Sequence, residues 1–396
     1  MELGDRRSAQ IRLLWAIGVF WAGLYLYIPI LAPYVSHQGG ANGMVGLVVA
    51  AYGVPQLTTR IVLGRWADRL GRRRIFLMLG MTTVIVSSLG MVLWPFPWAF
   101  VSFRLVAGLA ASTWAMFSML YVSYQPVSRD VRSMGWISFA NNAGQVVATV
   151  VGGYLAGRWG WPAPFYGSAA LGVIGLLLVA KLPESRSSAR TGEGPPLRRL
   201  LAHGPLKLAA GLGIFVQMAT FLTTFGYVPL WAVHHGVPRG QLGLLMMVGI
   251  LPTTLFSVIT GNWFSKRWSL RTLSWLGFAT MGICTLLTPV SRDTVWLFTM
   301  QAGLGAGRGI VSPSLMAMAI QGVPDPWRTT ALAVYQATYA AGMIGGPLLG
   351  AFTVGLLGLQ SVFWLAGLAA LLGVGLSFTV PTDKPPTLSA QTASSR

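Results

Sequence analysis

Long apolar runs alternate with short polar segments along the whole chain. Each run has about 20 or more residues, the length that crosses the hydrocarbon core of a bilayer as an α-helix. The pattern predicts twelve membrane-spanning helices, at about residues 12–36, 43–64, 75–95, 98–122, 133–157, 162–182, 207–232, 240–263, 271–290, 294–319, 328–354 and 360–380. We therefore expect an all-α integral membrane protein.

The longest polar break separates the first six spans from the last six. It is rich in Pro, Gly and basic residues, a composition typical of flexible linkers. It predicts an N-terminal six-helix bundle at 1–182, a linker at 183–206, a C-terminal six-helix bundle at 207–380 and a disordered tail at 381–396.

The two halves repeat each other at a spacing of 197 residues that later becomes 198. The matched pairs include Pro55 and Pro252, Gly64 and Gly261, Gly144 and Gly342, and Gly152 and Gly350. Such duplication is typical of transporters whose halves face each other across a cavity with the substrate near the midplane. We expect two pseudo-symmetric six-helix bundles around a central cavity.

Basic residues indicate how the spans are oriented. Of the 28 Lys and Arg, 22 fall on the side of the termini, whereas the other side holds only Arg158, Arg239 and Arg292. Cytoplasmic segments of membrane proteins carry this excess, so we expect a multi-pass protein of the plasma or inner membrane with both termini in the cytoplasm. Because topology accounts for the net charge of +19, we expect membrane lipids and no nucleic acid as partners.

Residues for enzyme chemistry are scarce in the spans. Cys284 is the single cysteine, no phosphate-binding loop occurs, and every Asp, Glu and His falls in a predicted loop or terminus. We expect no enzyme activity, cofactor or metal, and find no support for proton coupling, which leaves uniport or exchange open. A channel or receptor is an alternative that the duplication opposes.

Six of the eleven residues in Gly64–Arg74 (GRWADRLGRRR) are charged, in a chain that is only 9% charged. This segment closely resembles the signature of the loop between spans two and three of the major facilitator superfamily. The twelve-span layout extends the resemblance over nearly the whole chain. The resemblance implies a bacterial-type secondary transporter that moves a small-molecule substrate by alternating access, and we expect a monomer.

The charged segment is a candidate conformational latch. Asp68, at the end of the second span, can pair with arginines or face the positive N-terminal end of a helix. The resemblance implies that this helix is the eleventh, and that Arg72 pairs with Asp130. The latch set comprises Gly64, Asp68, Arg69, Gly71, Arg72 and Asp130. In the alternative interpretation, which we prefer for Arg73 and Arg74, arginines only set topology and bind lipid headgroups.

Two further segments resemble family elements with substitutions. The run from Arg104 to Ala110 is similar to RxxxGxG, with Ala110 at its last position. The run from Gly144 to Gly153 resembles the antiporter element GxxxGPxxGG, with Ala148 and Thr149 in place of Gly-Pro.

An arginine within a span is the strongest indication of a substrate site, because a charge inside the membrane is energetically costly and usually has a function. Arg308 lies near the bilayer centre among glycines that would let backbone and ligand approach closely, although backbone carbonyls and helix C-terminal ends could satisfy it instead. Arg104 could bind substrate or extend to the outer interface. The remaining polar candidates are Asn141, Gln145, Gln217, Gln301, Gln336 and Tyr339, and Tyr25, Trp114 and Tyr335 could add aromatic walls.

Two substrate hypotheses follow. One is an exporter of amphipathic, drug-like compounds, which the family resemblance favours slightly. The other is a transporter of a small organic anion bound by Arg308 with the help of Arg104.

Overall fold

The computed structural model describes residues 3–70, 72–124, 130–184, 197–290, 293–324 and 327–380. Within these ranges every regular element is a helix, and the helices form twelve stretches that match the predicted spans. Eight of the described helical stretches are long and apolar enough to cross a membrane by length and composition. The predicted all-α fold of twelve membrane helices is confirmed.

Several spans are built from more than one helix. The first six spans consist of α1 (Leu3–Tyr25) with α2 (Ile28–His37); α3 (Asn42–Ala51), α4 (Gly53–Thr58) and α5 (Arg60–Leu70); α6 (Arg73–Leu93); α7 (Pro97–Ser112) with α8 (Trp114–Ser123); α9 (Asp130–Trp159); and α10 (Ala163–Ala180). A short helix, α11 (Leu197–Ala202), precedes the second half.

The last six spans contain two π-helical turns. They consist of α12 (Gly204–Leu222), a π turn (Thr223–Tyr227) and α13 (Val228–His234); α14 (Leu242–Ile259), a π turn (Thr260–Phe264) and α15 (Ser265–Arg267); α16 (Leu270–Leu287); α17 (Thr294–Ile320); α18 (Arg328–Leu357); and α19 (Ser361–Ser377). A 3₁₀ turn (Arg239–Gln241) leads into α14.

Turn glycines repeat the spacing found in the sequence. Gly39 and Gly236, 197 residues apart, have φ of +82° and +83°. Gly160 and Gly358, 198 residues apart, have φ of +88° and +77°. Only glycine adopts this left-handed region without strain, so each pair closes equivalent turns after the first and seventh and after the fifth and eleventh spans. The turns therefore support the duplication.

The chain divides into two compact units. The first unit comprises Met1–Gly192, Thr224–Met247 and Pro347–Leu359, and the second comprises Glu193–Thr223, Val248–Gly346 and Gln360–Arg396. Within the first, α1 packs against α9 and α10, and α6 packs against α7 and α10. Within the second, α12 and α16 each pack against α17 and α19. The sequence boundaries 1–182 and 207–380 stay a prediction, because the first unit also takes in parts of spans seven, eight and eleven.

Candidate functional site

Arg104 of α7 is almost completely buried, with 3% of its side chain exposed. Its Nη1 donates a hydrogen bond of 3.2 Å to the Tyr27 hydroxyl, and its guanidinium carbon lies 4.4 Å from the centre of the Tyr52 ring. A cation above an aromatic face is attracted most strongly where water is excluded. The buried Nε atom makes no hydrogen bond. Arg104 therefore does not extend to the outer interface, the alternative that the sequence left open.

A second arginine joins the same group of side chains. Arg60 donates a hydrogen bond of 2.9 Å from Nη2 to Oε1 of Gln56. The buried Gln56 donates one of 3.1 Å from Nε2 to the carbonyl oxygen of Tyr52. Tyr52 thus connects the two arginines, because its ring lies beneath Arg104 and its backbone carbonyl is joined through Gln56 to Arg60.

An aromatic cluster lies in the first unit and is formed by Trp21, Tyr25, Trp114 and Phe225. Ring centres are 5.2 Å apart for Trp21 and Trp114, 5.9 Å for Trp21 and Tyr25, and 5.7 Å for Tyr25 and Phe225. The Trp21 side chain is buried, and its Nε1 makes no hydrogen bond. Tyr25 and Trp114 were predicted from the sequence, whereas Trp21 and Phe225 were not. The spacing of Trp21 and Tyr25, one turn apart on α1, was the signal available for Trp21.

Asn141 and Gln145, the two polar residues predicted on α9, form a hydrogen bond with each other. Nε2 of Gln145 donates a hydrogen bond to Oδ1 of Asn141, and both residues are half-buried. The two amides therefore satisfy part of each other's hydrogen-bonding capacity along one helix face.

The other predicted substrate residues all belong to the second unit. Gln301 is 1% exposed, whereas the remaining four are half-buried: Arg308, Gln217, Gln336 and Tyr339. The Tyr339 ring meets the ring of Tyr335 edge to face, with centres 5.2 Å apart. Both tyrosines pack on α12 at Gly213, where a Cβ atom would lie 3.0 Å from the Tyr335 ring. Of this set, the structure brings Tyr339 beside α12, the helix that carries Gln217.

The glycines that flank Arg308 serve helix packing. A Cβ atom at Gly307 would lie 2.7 Å from the carbonyl oxygen of Gly277, and one at Gly309 would lie 2.6 Å from that of Thr253. Both distances are too short for a side chain, so α17 packs tightly against α16 and α14 here. The expected close approach of backbone is therefore found at these two glycines, and the approach of a ligand to the half-buried Arg308 stays a prediction.

Most of the predicted latch lies outside what the structure describes. Gly71 falls between the described ranges, and Gly64, Asp68, Arg69 and Asp130 lie in helices without described side chains. Arg72 is exposed and immediately precedes α6. The contacts of Asp68 with the eleventh span and of Arg72 with Asp130 remain predictions.

Arg74, which we interpreted as a topology charge, pairs with Glu184. Oε1 of Glu184 accepts a hydrogen bond of 3.2 Å from the backbone N–H of Arg74, and the side chains approach to 4.0 Å. The carboxylate thus lies at the positive N-terminal end of α6. The neighbouring Tyr124 hydroxyl donates to the carbonyl oxygen of Pro183, and burial, followed by the Glu184 charge, raises the pKa of Tyr124. These contacts fasten the start of the linker to spans three and four.

On the face away from the termini, parts of second-half spans pack on first-half helices inside the first unit. The Tyr227 hydroxyl donates to the carbonyl oxygen of Asn42. The Arg239 guanidinium lies 4.7 Å from the centre of the Trp161 ring. A Cβ atom at Gly43 would lie 3.2 Å from the carbonyl oxygen of Ala351.

The closest of these contacts joins α9 to the start of α14. A Cβ atom at Gly243 would overlap the carbonyl oxygen of Thr149 and lie 3.1 Å from Cα of Gly153. Thr149 and Gly153 belong to the segment that resembles the antiporter element. We call this set of contacts between first-half and second-half residues the outer closure; it comprises the pairs Tyr227–Asn42, Arg239–Trp161, Gly43–Ala351 and Gly243–Thr149.

Comparison with known proteins identifies relatives over nearly the whole chain. A family model described as Major Facilitator Superfamily matches residues 13–261 and 210–396. "Multidrug resistance protein 2" of Bacillus subtilis (strain 168) is 24% identical over 95% of this chain and 96% of its own length. "Tetracycline resistance protein, class C" of Escherichia coli is 27% identical over 86% of this chain and 88% of its own length.

A solved structure shares the fold. It is a bacterial homolog of the human lysosomal transporter Spinster, in an inward-facing and unoccupied conformation. The two chains superpose with a TM-score of 0.81 at 14% identity, over 96% of this chain and 97% of the other.

Proposed function

The chain belongs to the Major Facilitator Superfamily, and from that membership we propose that it exports amphipathic, drug-like compounds by alternating access. Membership makes the protein a multi-pass membrane transporter of small molecules and not an enzyme. The observation that carries the export proposal is its similarity, over 95% and 86% of the chain, to relatives named for multidrug and tetracycline resistance.

The aromatic cluster supports a substrate with apolar surface. Four aromatic side chains from three spans meet in the first unit, and aromatic rings bury large areas at little loss of conformational entropy. None of the nine Asp and Glu falls within the twelve apolar runs of the sequence. The spans therefore offer apolar surface, hydrogen-bond donors and arginines, a combination that suits amphipathic compounds.

Orientation and assembly form part of the proposal. Both termini face the cytoplasm, which is supported by the 22 Lys and Arg on that side. The protein works as a monomer in the plasma or inner membrane, with lipids as its surroundings and the outer closure on the external side.

Drug accumulation in a bacterial host that lacks its own efflux pumps tests the proposal. We expect cells that express the protein to accumulate less of at least one compound from a panel of Nile red, chloramphenicol, tetracycline and ethidium. Cells that carry the empty expression vector are the control. Equal accumulation of the whole panel in cells with and without the protein would contradict export.

A small organic anion is the second candidate substrate. The observation that favours it is the burial of Arg104, whose Nε makes no hydrogen bond, while the apolar runs of the sequence contain no Asp or Glu. An anion would neutralise Arg104 or Arg308. In this case Arg308→Ala abolishes binding of benzoate to the purified protein, and the exposed Arg158→Ala does not. Under the export proposal, drug extrusion tolerates Arg308→Ala.

A further inference from the structure

We propose that the aromatic cluster of Trp21, Tyr25, Trp114 and Phe225 binds a planar aromatic compound. An acceptor atom of this compound accepts a hydrogen bond from the indole N–H of Trp21. The ligand is neutral or anionic. This inference rests on the proposed export function and names the class of substrate that the site takes.

The indole N–H of Trp21 is the observation that points to a ligand. Its Nε1 is buried without a hydrogen bond, although a buried indole normally finds an acceptor. A buried donor without an acceptor costs free energy. A ligand atom that accepts its hydrogen bond therefore contributes more to the free energy of binding than an ordinary hydrogen bond does. A ligand that carries a carbonyl, ether or ring nitrogen would supply such an acceptor.

The rings around the indole favour a flat aromatic partner. Trp21 meets Trp114 at 72° between ring planes, and Tyr25 meets Phe225 at 84°. Edge-to-face arrangements of this kind leave ring faces and edges to which a further ring adds favourably. Tyr25 and Trp114 are half-buried, whereas Trp21 is buried. A ligand therefore reaches the indole past these two side chains.

The electrostatic surroundings exclude a cationic ligand. Arg104 donates a hydrogen bond to the hydroxyl of Tyr27, two residues after Tyr25 of the cluster. Its guanidinium also lies over the ring of Tyr52, whose backbone carbonyl is joined through Gln56 to Arg60. The twelve apolar runs of the sequence contain no Asp or Glu that could offset these charges. An organic cation would be repelled, while a neutral or anionic ring is accepted.

A matched pair of probes tests whether binding depends on a hydrogen-bond acceptor in the ligand. Fluorenone and fluorene are planar and nearly the same size, but only fluorenone has a carbonyl oxygen. Binding to the purified full-length protein is measured by equilibrium dialysis in detergent. We expect fluorenone to bind about tenfold more tightly than fluorene, the factor for a hydrogen bond to an otherwise unmet buried donor. Ethidium, a planar cation, should bind more weakly than both.

Trp21→Phe keeps an aromatic ring and removes the donor. In this variant we expect the preference for fluorenone to disappear, with fluorene binding little changed. Trp15→Phe on the same helix is the control, because Trp15 is 67% exposed. A fluorenone preference that persists in Trp21→Phe, or its absence from the unaltered protein, would overturn the proposal, and so would tight ethidium binding.

Binding and export can fail separately. A protein that binds fluorenone through Trp21 but extrudes nothing from cells would contradict export and leave the site in place. A protein that extrudes drugs without the Trp21-dependent preference would contradict only the site.

Discussion

The side-chain hydroxyl of Tyr227 donates a hydrogen bond of 3.0 Å to the backbone carbonyl oxygen of Asn42. Tyr227 ends the π turn of the seventh span, and Asn42 begins the second span. Gly46 lies next to the same hydroxyl, and a Cβ atom at this position would come within 2.8 Å of the tyrosine oxygen. A fully buried tyrosine thus joins the two halves of the sequence at the outer closure.

Removing this hydroxyl should loosen the outer closure without disturbing its packing. Tyr227→Phe keeps the ring and removes the hydrogen bond from the hydroxyl to the Asn42 carbonyl, which costs about 1 kcal/mol. We expect a lower thermal unfolding midpoint of the purified protein. Tyr154→Phe is the control, because Tyr154 is 61% exposed. Equal midpoints for Tyr227→Phe and the unaltered protein would show that the bond does not contribute.

A disulfide across the outer closure should arrest transport. A Cβ atom at Gly43 would lie 3.9 Å from the carbonyl carbon of Ala351, so we expect Gly43→Cys and Ala351→Cys to bond when oxidised, in a Cys284→Ser background that removes the native thiol. Since alternating access must open this face, we expect oxidation to stop drug extrusion and reduction to restore it.

The control disulfide lies within the first half. The hydroxyls of Ser88 and Ser168 are 2.6 Å apart, so Ser88→Cys with Ser168→Cys can form a bond between spans three and six. This bond should leave extrusion unchanged. If oxidation of the Gly43–Ala351 pair leaves extrusion at its reduced rate, the outer closure does not need to open.

Two glycines three residues apart should differ sharply in their tolerance of alanine. At Gly243 a Cβ atom would overlap the carbonyl oxygen of Thr149, whereas at Gly240 it would lie 3.8 Å from Cα of Gly157, an ordinary contact. We expect Gly243→Ala to impair extrusion and lower the unfolding midpoint, because backbone carbonyls cannot move aside cheaply. Gly240→Ala should behave like the unaltered protein. Equal activity of both variants would contradict the close contact.

The fold was predictable because its signals are local. Twelve apolar runs of spanning length defined the helices, and the repeat spacing reappears in the turns at Gly39 and Gly236. Divisions inside spans were not predictable, since the break before Ile28 and the π turn at Thr223–Tyr227 depend on packing rather than on hydropathy.

The site was predicted less well, because contacts between distant residues leave little trace in one sequence. Charge within a span correctly singled out Arg104 as unusual, yet its partners Tyr27 and Tyr52 lie on other spans. The pairing of Arg74 with Glu184 joins residues 110 positions apart and could not be read from spacing. The one-turn spacing of Trp21 and Tyr25 is visible in the sequence, but only the structure shows that the Trp21 N–H is buried without an acceptor.

Arg104 should not be replaceable by lysine. Lysine keeps the charge but lacks the planar guanidinium that lies over Tyr52, and a desolvated cation–π contact contributes about 2 kcal/mol. We expect Arg104→Lys to lower the unfolding midpoint and reduce extrusion. Arg158→Lys, at an exposed position on α9, should change neither. Full activity and stability of Arg104→Lys would show that charge alone suffices at this position.

Asp68 should affect the rate of transport more than the stability of the fold. The resemblance places it at the N-terminal end of the eleventh span, where a carboxylate interacts with the helix dipole by about 0.3–1 kcal/mol. Asp68→Asn removes the charge and keeps the size, so we expect a folded protein that extrudes drugs more slowly from proteoliposomes. Ser265, which stands 197 positions later, is the matched control, and Ser265→Ala should leave the rate unchanged. A normal rate in Asp68→Asn proteoliposomes would contradict a latch at this position, and an unfolded variant would indicate a structural role instead.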